Sequence, residues 1–198
     1  MELRATALWM SRTGPGEPEE VAVLLERAIA GDISAFEQII VRHERRVLTL
    51  AWRLLGRLED AQDASQEVFL RAFRYLHRFD SRRPFEPWLI RVTVNVCRDL
   101  GRKRQQQRNA PIELEPIEAG GDPHSELNAE EQRRMLQAAL RDLPEKEKAA
   151  LILRDIDGFS TAEAARILGS SEPTVRAQIS SARVKIRKAV ERIKRGRK

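Results

Sequence analysis

The sequence predicts an all-α protein built from two helical domains, and three observations lead to this prediction. Aromatic residues account for only 5% of the 198 residues, and runs of β-branched residues are scarce. Alanine, leucine, arginine and glutamate, which favour helices, dominate the chain. Apolar residues recur every three or four positions over most of its length, which is the period of a helix.

The first domain is predicted at residues 17–105 as a bundle of four helices. Each of its four segments carries a stripe of apolar residues at helical spacing. Gly31 and Gly56 separate the first three segments, and a proline-containing loop precedes the fourth. Ser34 and Glu37 have the spacing of a capping box, so we expect Ser34 to cap the second helix.

Two segments lack helical patterning. Residues 1–16 contain a Gly-Pro-Gly sequence and are predicted to be a disordered arm. Residues 106–126 mix prolines and glycines with acidic residues, and no apolar periodicity survives there. We therefore expect a flexible acidic linker between the two domains.

The second domain, residues 127–198, is predicted to contain a helix-turn-helix. Ser160 and Glu163 form a capping box for a short helix that Gly169 closes, and Ser171 can cap the long helix that follows. In this motif the second helix enters the major groove of DNA. Its exposed face supplies the candidate contacts, which are Thr174, Arg176, Ala177, Gln178, Ser181, Arg183 and Lys185. The alternative is an ordinary helical hairpin with a solvated basic face.

A basic stripe runs along the fourth helix of the first domain, opposite its apolar side. Its members are Arg91, Asn95, Arg98 and Arg102, which recur at helical spacing. Cations follow the phosphates of single-stranded DNA, and aromatic rings stack on its bases. Phe85 and Trp88 lie just before the stripe, so the segment is predicted to bind a single strand. For Trp88 the alternative is a place in the core.

The segment 60–69 sets carboxylates into an otherwise basic chain, whose net charge is +6. Asp60, Asp63 and Glu67 recur at helical spacing and form what we call the acidic strip. Because phosphate would repel the acidic strip, the sequence predicts a protein partner for it. The alternative is a solvated helix face.

The composition argues against several other classes of protein. Cys97 is the one cysteine, which excludes an internal disulfide framework and fits a reducing compartment. The three histidines are far apart, and no nucleophile or phosphate loop stands out. No apolar run reaches the roughly 20 residues that a membrane-spanning helix needs, and no secretory signal is visible. We therefore expect a soluble cytoplasmic protein without metal, cofactor, small-molecule substrate or enzymatic activity.

Three motifs follow one another along the chain. They are Asp-Ala-Gln-Asp-Ala-Ser-Gln-Glu-Val-Phe at 60–69, Phe-Glu-Pro-Trp-Leu-Ile-Arg-Val-Thr-Val-Asn at 85–95, and Leu-Pro-Glu-Lys-Glu at 143–147. Together they resemble the RNA polymerase sigma factors of the extracytoplasmic-function (ECF) group. The resemblance covers about 33–104 and 127–193. It implies that the first domain is sigma region 2, that the second is sigma region 4, and that the chain directs polymerase to promoters.

The resemblance also implies a role for each block. Docking on the β′ coiled coil of core polymerase falls to Asp60, Asp63, Gln66 and Glu67. Binding and melting of the −10 element fall to Arg82, Arg83, Phe85, Trp88, Arg91, Asn95, Arg98 and Arg102, with Asn95 as the base contact. The candidate contacts of the helix-turn-helix read the −35 element. Further implied partners are promoter DNA, the β subunit of polymerase and an anti-sigma factor, and the acidic linker would lie toward the RNA path.

The recognition helix departs from the family pattern. It usually starts Gly-Thr-Val-Lys/Arg-Ser-Arg, whereas residues 173–178 read Pro-Thr-Val-Arg-Ala-Gln, and Ser181 replaces a frequent arginine. Fewer charged base contacts imply an altered −35 preference or a weaker dependence on that element.

Two hypotheses from other classes stand beside this one. A conventional helix-turn-helix regulator would bind specific duplex DNA tightly without polymerase. A metal-dependent nuclease would need the carboxylates of the acidic strip to hold a metal ion.

Overall fold

The computed structural model describes residues 17–81, 83–107 and 137–195. The first domain consists of α1 (Glu17–Ile29), α2 (Ile33–Leu55), α3 (Leu58–Tyr75), a 3₁₀ turn (Leu76–Arg78) and α4 (Phe85–Gln107). This confirms the all-α prediction for the first domain. The predicted arm and most of the predicted linker lie outside the described residues. Helix α4 continues two residues past the predicted boundary at 105.

Local capping chemistry sets both ends of α2. Its N-cap is Asp32, whose carboxylate accepts a hydrogen bond from the backbone nitrogen of Ala35 at 3.2 Å. The predicted capping box of Ser34 and Glu37 is therefore wrong, because the helix begins two residues earlier, with Asp32 as its cap. Gly56 ends the helix in the left-handed conformation, with φ of 82°, as expected.

The helices of the first domain enclose one apolar core. Its buried side chains include Leu24, Leu25, Phe36, Ile39, Val47, Ala61, Ala64, Val68, Leu89 and Val96. The three alanines of α3, which are Ala61, Ala64 and Ala72, have no exposed surface, and their small size lets α3 approach its neighbours closely. Since each large aliphatic side chain contributes about 1.5–3 kcal/mol on burial, this core is a firm support for the outer surfaces of α3 and α4.

The second domain consists of a helical segment at 137–141 (α5), α6 (Glu145–Leu151), a π-helical turn (Ile152–Ile156), α7 (Thr161–Leu168) and α8 (Glu172–Arg195). Helices α7 and α8 form the predicted helix-turn-helix. Both ends of α7 are as expected. The hydroxyl of Ser160 accepts from the Glu163 backbone at 3.2 Å, the Glu163 carboxylate accepts from the Ser160 backbone at 2.8 Å, and Gly169 ends the helix with φ of 61°.

The two domains pack directly against each other, which the sequence analysis did not predict. Leu50 of α2 and Ile90 and Val94 of α4 are each only 1% exposed. They belong to the same apolar cluster as Leu140 and Phe159 of the second domain. The apolar core of the helix-turn-helix domain therefore extends onto the first domain, and α7 lies against α4.

Candidate functional site

The acidic strip does not form one exposed face. Asp63 is exposed, but Asp60 is only 4% exposed and pairs with Arg104 near the end of α4. A buried carboxylate with a guanidinium partner is a tertiary contact, because its charge is already compensated within the protein. Asp60 thus joins α3 to α4, and the prediction that it is a docking residue does not fit its position.

Glu67 is half-buried, and its carboxylate is paired with an arginine of the same helix. Arg71, one turn later on α3, donates to the Glu67 carboxylate at 2.6 Å and to Asp99 of α4 at 2.8 Å. The carboxylates of Asp99 and Glu67 raise the pKa of Arg71. The orientation of Glu67 is therefore fixed by α4 as well as by its own helix.

The exposed surface of α3 combines polar and apolar side chains. We call it the docking face, and it consists of Asp63, Gln66, Glu67, Leu70 and Phe73. Leu70 and Phe73 are 61% and 51% exposed, which is unusual for large apolar residues. Neither was predicted from the sequence to be a contact residue, although they follow Gln66 at i+4 and i+7, on the same side of the helix.

An aromatic cluster supports the start of α4. Phe85 is 5% exposed, and its ring lies 5.6 Å from that of Phe79 and 5.4 Å from that of His43, both edge-on. Trp88 is half-buried, with its ring 5.1 Å from Phe79. Phe85 is therefore a core residue here, and a base cannot stack on it as predicted; Trp88 keeps a partly open face.

The basic stripe lies on the outer side of α4. Arg91, Asn95 and Arg102 are exposed. Arg98 is half-buried, and its guanidinium lies 3.3 Å from the carboxylate of Glu145 in the second domain. In the preceding loop Arg83 is exposed, whereas Arg82 lies outside the described residues. Three of the four stripe residues are thus open to solvent.

The first two turns of α8 present the open part of the recognition helix. Thr174, Arg176 and Ala177 are exposed, and the Arg176 guanidinium pairs with Glu172 at 2.8 Å. Ser180 was overlooked in the sequence; it is exposed and follows Arg176 at i+4. Gln178 is half-buried.

The later candidates on α8 are paired with acidic residues of their own domain. Glu147 of α6 accepts from Ser181 at 3.1 Å and from Lys185 at 2.7 Å. Arg183 donates two hydrogen bonds, each of 2.7 Å, to Asp155. These pairs fix the orientation of α8 on α6, and they leave the first turns of α8 as its most accessible polar surface.

Comparison with known proteins decides the family. The Sigma-70 region 2 model matches residues 39–108, and the Sigma-70 region 4 model matches residues 133–186. The ECF RNA polymerase sigma-E factor of Escherichia coli (strain K12) is 34% identical over 179 residues, covering 85% of this chain and 93% of that protein. The chain belongs to the ECF sigma factors.

Further relatives match both domains of this sigma factor. The ECF RNA polymerase sigma factor SigM of Mycobacterium tuberculosis (strain ATCC 35801 / TMC 107 / Erdman) is 37% identical over 166 residues, covering 83% of this chain and 82% of that protein. CnrH, solved in complex with the cytosolic domain of CnrY, is 28% identical with a TM-score of 0.65, over 87% of this chain and 97% of that one. RpoE of Bartonella quintana, solved with the anti-sigma factor NepR, has a TM-score of 0.63 over 79% of this chain and 96% of that one; at 21% identity it supports the fold alone.

Metal-binding side chains do not cluster in the part of this sigma factor that the structure describes. In residues 17–81, 83–107 and 137–195, no group of three or more histidine, cysteine, aspartate or glutamate side chains is arranged to hold a metal ion. In the same ranges, no helix is long and apolar enough to cross a membrane.

The Cys97 thiol of this sigma factor is expected to be unreactive in the folded state. It is 4% exposed, and burial, with the nearby carboxylate of Glu145, raises its pKa to about 12. Because the thiolate is the nucleophile, alkylation by iodoacetamide at pH 8 should be about a hundredfold slower in the native protein than in guanidinium chloride. Mass spectrometry of quenched samples measures both rates, and similar rates would contradict the buried position.

Proposed function

We propose that this chain is an alternative sigma factor that binds core RNA polymerase, recognises the −10 and −35 promoter elements and promotes melting of the −10 region. The observation that carries the proposal is the combination of three surfaces in one chain. These are the docking face of α3, the open part of the basic stripe on α4 and the first turns of α8. Family membership supports the same assignment.

The docking face binds the β′ coiled coil of core polymerase. Leu70 and Phe73 provide apolar area that a partner would bury, and Asp63 and Gln66 provide polar contacts beside it. Interfaces of this kind gain affinity from the apolar centre and orientation from the charged rim. Because Arg71 already holds Glu67, that residue contributes a fixed negative charge at the edge.

The open part of the basic stripe binds the unpaired −10 strand. Arg91 and Arg102 follow its phosphates, Asn95 donates to and accepts from the edge of a base, and Trp88 offers the open part of its ring. Stacking and base contacts are worth about 1–3 kcal/mol per base, which offsets the loss of base pairing. Phe85 acts indirectly, as the support on which Trp88 rests.

The first turns of α8 read the −35 element in the major groove. Thr174, Arg176, Ala177 and Ser180 are the base-facing residues in this proposal, and the cations further along α8 contact phosphates. With one arginine at the base-facing turns, discrimination at −35 rests mainly on Arg176.

Replacing Arg176 with alanine is expected to reduce discrimination between −35 sequences about tenfold. Arginine contacts to guanine are worth about 1–3 kcal/mol, and the lower part of this range applies because Arg176 must leave Glu172 to bind DNA. Holoenzyme binding to a panel of −35 variants, measured by fluorescence anisotropy, checks this. The matched control is Arg187→Ala, which should weaken binding to every variant alike, as a phosphate contact does. Unchanged discrimination in Arg176→Ala would contradict the assignment.

The proposed cellular compartment follows from the proposed partners, which are core polymerase and promoter DNA. The chain acts in the cytoplasm, where polymerase and chromosomal DNA are found, and it has no enzymatic activity of its own. CnrH was solved in complex with the cytosolic domain of CnrY, and the Bartonella quintana RpoE was solved with the anti-sigma factor NepR. An anti-sigma factor is proposed as a partner of this chain on the same grounds.

The experiment that separates this function from a conventional regulator is a comparison of promoter binding with and without core polymerase. A sigma factor should show little sequence preference on duplex DNA alone, and strong preference once core polymerase is added. A regulator would show tight, specific binding in both samples. The second result would overturn the proposed function.

A further inference from the structure

Val184 lies in the middle of the long helix α8 and is 49% exposed. A single exposed valine is common on protein surfaces, so its direction matters more than its exposure. Val175, Ile179 and Ala182 are 0%, 5% and 0% exposed and form the buried side of α8. At 3.6 residues per turn, Val184 lies about 180° around the helix axis from the middle of that buried side.

The residues on either side of Val184 fix this direction. Arg183 donates two hydrogen bonds of 2.7 Å to Asp155, which lies in the π-helical turn. Lys185 donates to Glu147 of α6 at 2.7 Å. Because both neighbours are tied to the body of the second domain, α8 is held in one rotational position. Val184, which lies between them, is therefore kept on the outer side of the helix.

The outer side of α8 is the side that a helix-turn-helix presents to DNA. Ala177, one of the candidate base contacts, is exposed on this side, seven residues before Val184. Seven residues of helix span about 10.5 Å, which corresponds to about three base pairs of B-form DNA. Val184 therefore continues the base-facing row of α8 by two turns.

The surroundings of Val184 match a DNA groove in charge. Arg187 and Lys188, one turn later, are exposed, and so is Ser180, one turn earlier. Cations at the edges of such a helix suit the phosphates on both sides of the major groove. The apolar group that the groove itself offers is the C5-methyl group of thymine, which aliphatic side chains contact. An aliphatic side chain among cations therefore matches a thymine between two rows of phosphates.

We propose that Val184 contacts the C5-methyl group of a thymine in the −35 element and is a specificity-determining residue of this sigma factor. The inference rests on the proposed function, because it takes −35 DNA as the ligand of α8. Arg176 supplies hydrogen bonds to a base edge, whereas Val184 supplies an apolar contact. The −35 preference therefore includes a thymine that is recognised by its methyl group.

The test replaces thymine with deoxyuridine, which lacks only the C5-methyl group and still pairs with adenine. The holoenzyme first selects its −35 sequences from a pool of random duplexes. Each thymine of the selected element is then replaced singly, and holoenzyme binding is measured by fluorescence anisotropy. At one position the replacement should weaken binding about fourfold, which is the effect of burying one methyl group.

Val184→Ala should remove this dependence on the methyl group. The variant should bind the thymine duplex about fourfold more weakly than the unmodified protein does, and it should bind the thymine and deoxyuridine duplexes equally. The shortened side chain no longer reaches the methyl group. Val184→Ala is expected to fold, because the position is exposed and alanine favours helices.

Two further variants make the test specific. Val23→Ala is the matched control, because Val23 is 52% exposed but lies on α1 of the first domain. It should keep the full effect of deoxyuridine. Val184→Ile keeps an aliphatic side chain at the same position and should also keep the effect.

Three results would overturn the proposal. The first is the absence of any deoxyuridine effect in the unmodified protein, and the second is an effect that persists in Val184→Ala. The third is a loss of binding in Val184→Ala that is the same size on both duplexes, because Val184 would then contact something other than a thymine methyl group. Failure of the proposed function would appear separately, since the holoenzyme would then select no sequence in the first step.

Discussion

Asp63→Lys combined with Gln66→Lys is expected to weaken binding to core polymerase about a hundredfold or more. Both side chains are exposed on the docking face, so replacing them should leave the apolar core of the first domain intact. Like charges brought together at an interface cost several kcal/mol, and each 1.4 kcal/mol is about tenfold in affinity. Competition with a labelled sigma factor for core polymerase measures the change.

The matched control is Glu26→Lys, an exposed charge reversal on α1, away from the docking face. It should bind core polymerase as the unmodified protein does. Circular dichroism establishes that both variants are folded. If the Asp63→Lys, Gln66→Lys variant binds core polymerase with unchanged affinity, core polymerase does not bind the docking face. Glu67 is left intact in this design, because replacing it would also release Arg71.

Asn95→Ala is expected to reduce open-complex formation about ten- to a hundredfold. The amide is exposed in the middle of the basic stripe, and its loss removes about 1–3 kcal/mol of base contact. The reduction should disappear when the base that Asn95 contacts is replaced by an abasic site. Permanganate reactivity of unpaired thymines, followed over time, measures open-complex formation on both templates.

Lys103→Ala is the control for this prediction. Lys103 is an exposed cation on the same helix, so its loss should weaken binding modestly on every template, abasic or not. Equal open-complex formation by Asn95→Ala and the unmodified protein, on every −10 variant, would mean that another residue contacts the base.

Local signals in the sequence predicted the helices well. The ends of α7 depend on Ser160, Glu163 and Gly169, which lie within ten residues of one another, and the structure has these ends as expected. The predicted capping box at Ser34 was wrong for a local reason too, because Asp32 is an equally good cap two residues earlier and is the one that the helix uses.

Tertiary contacts account for the predictions that did not match the structure. Asp60 has the same helical spacing as Asp63, and only its contact with Arg104, 44 positions later, separates a buried ion pair from an exposed acid. Phe85 resembles a stacking platform until Phe79 and His43 are seen against its ring. The spacing of residues along a helix cannot distinguish a buried from an exposed side chain in these two cases. It indicates on which side of the helix the side chain lies, but not whether another helix packs against that side.

The sequence contains a weak indication of the contact between the domains. Ile90 and Val94 form a second apolar row on α4, at i and i+4, beside the row that faces the bundle. A helix with two apolar rows has two partners. The identity of the second partner depends on the approach of residues about 60 positions away, which no local pattern encodes.

The most direct test of the account is transcription in vitro from a genomic DNA library by purified core polymerase, with and without this chain. Transcripts should start at discrete positions, downstream of one shared pair of −10 and −35 sequences, only when the chain is present. The Asp63→Lys, Gln66→Lys variant should lose these transcripts. Transcript 5′ ends that are the same with and without the chain would contradict the central claim that it carries two DNA-binding domains to the polymerase.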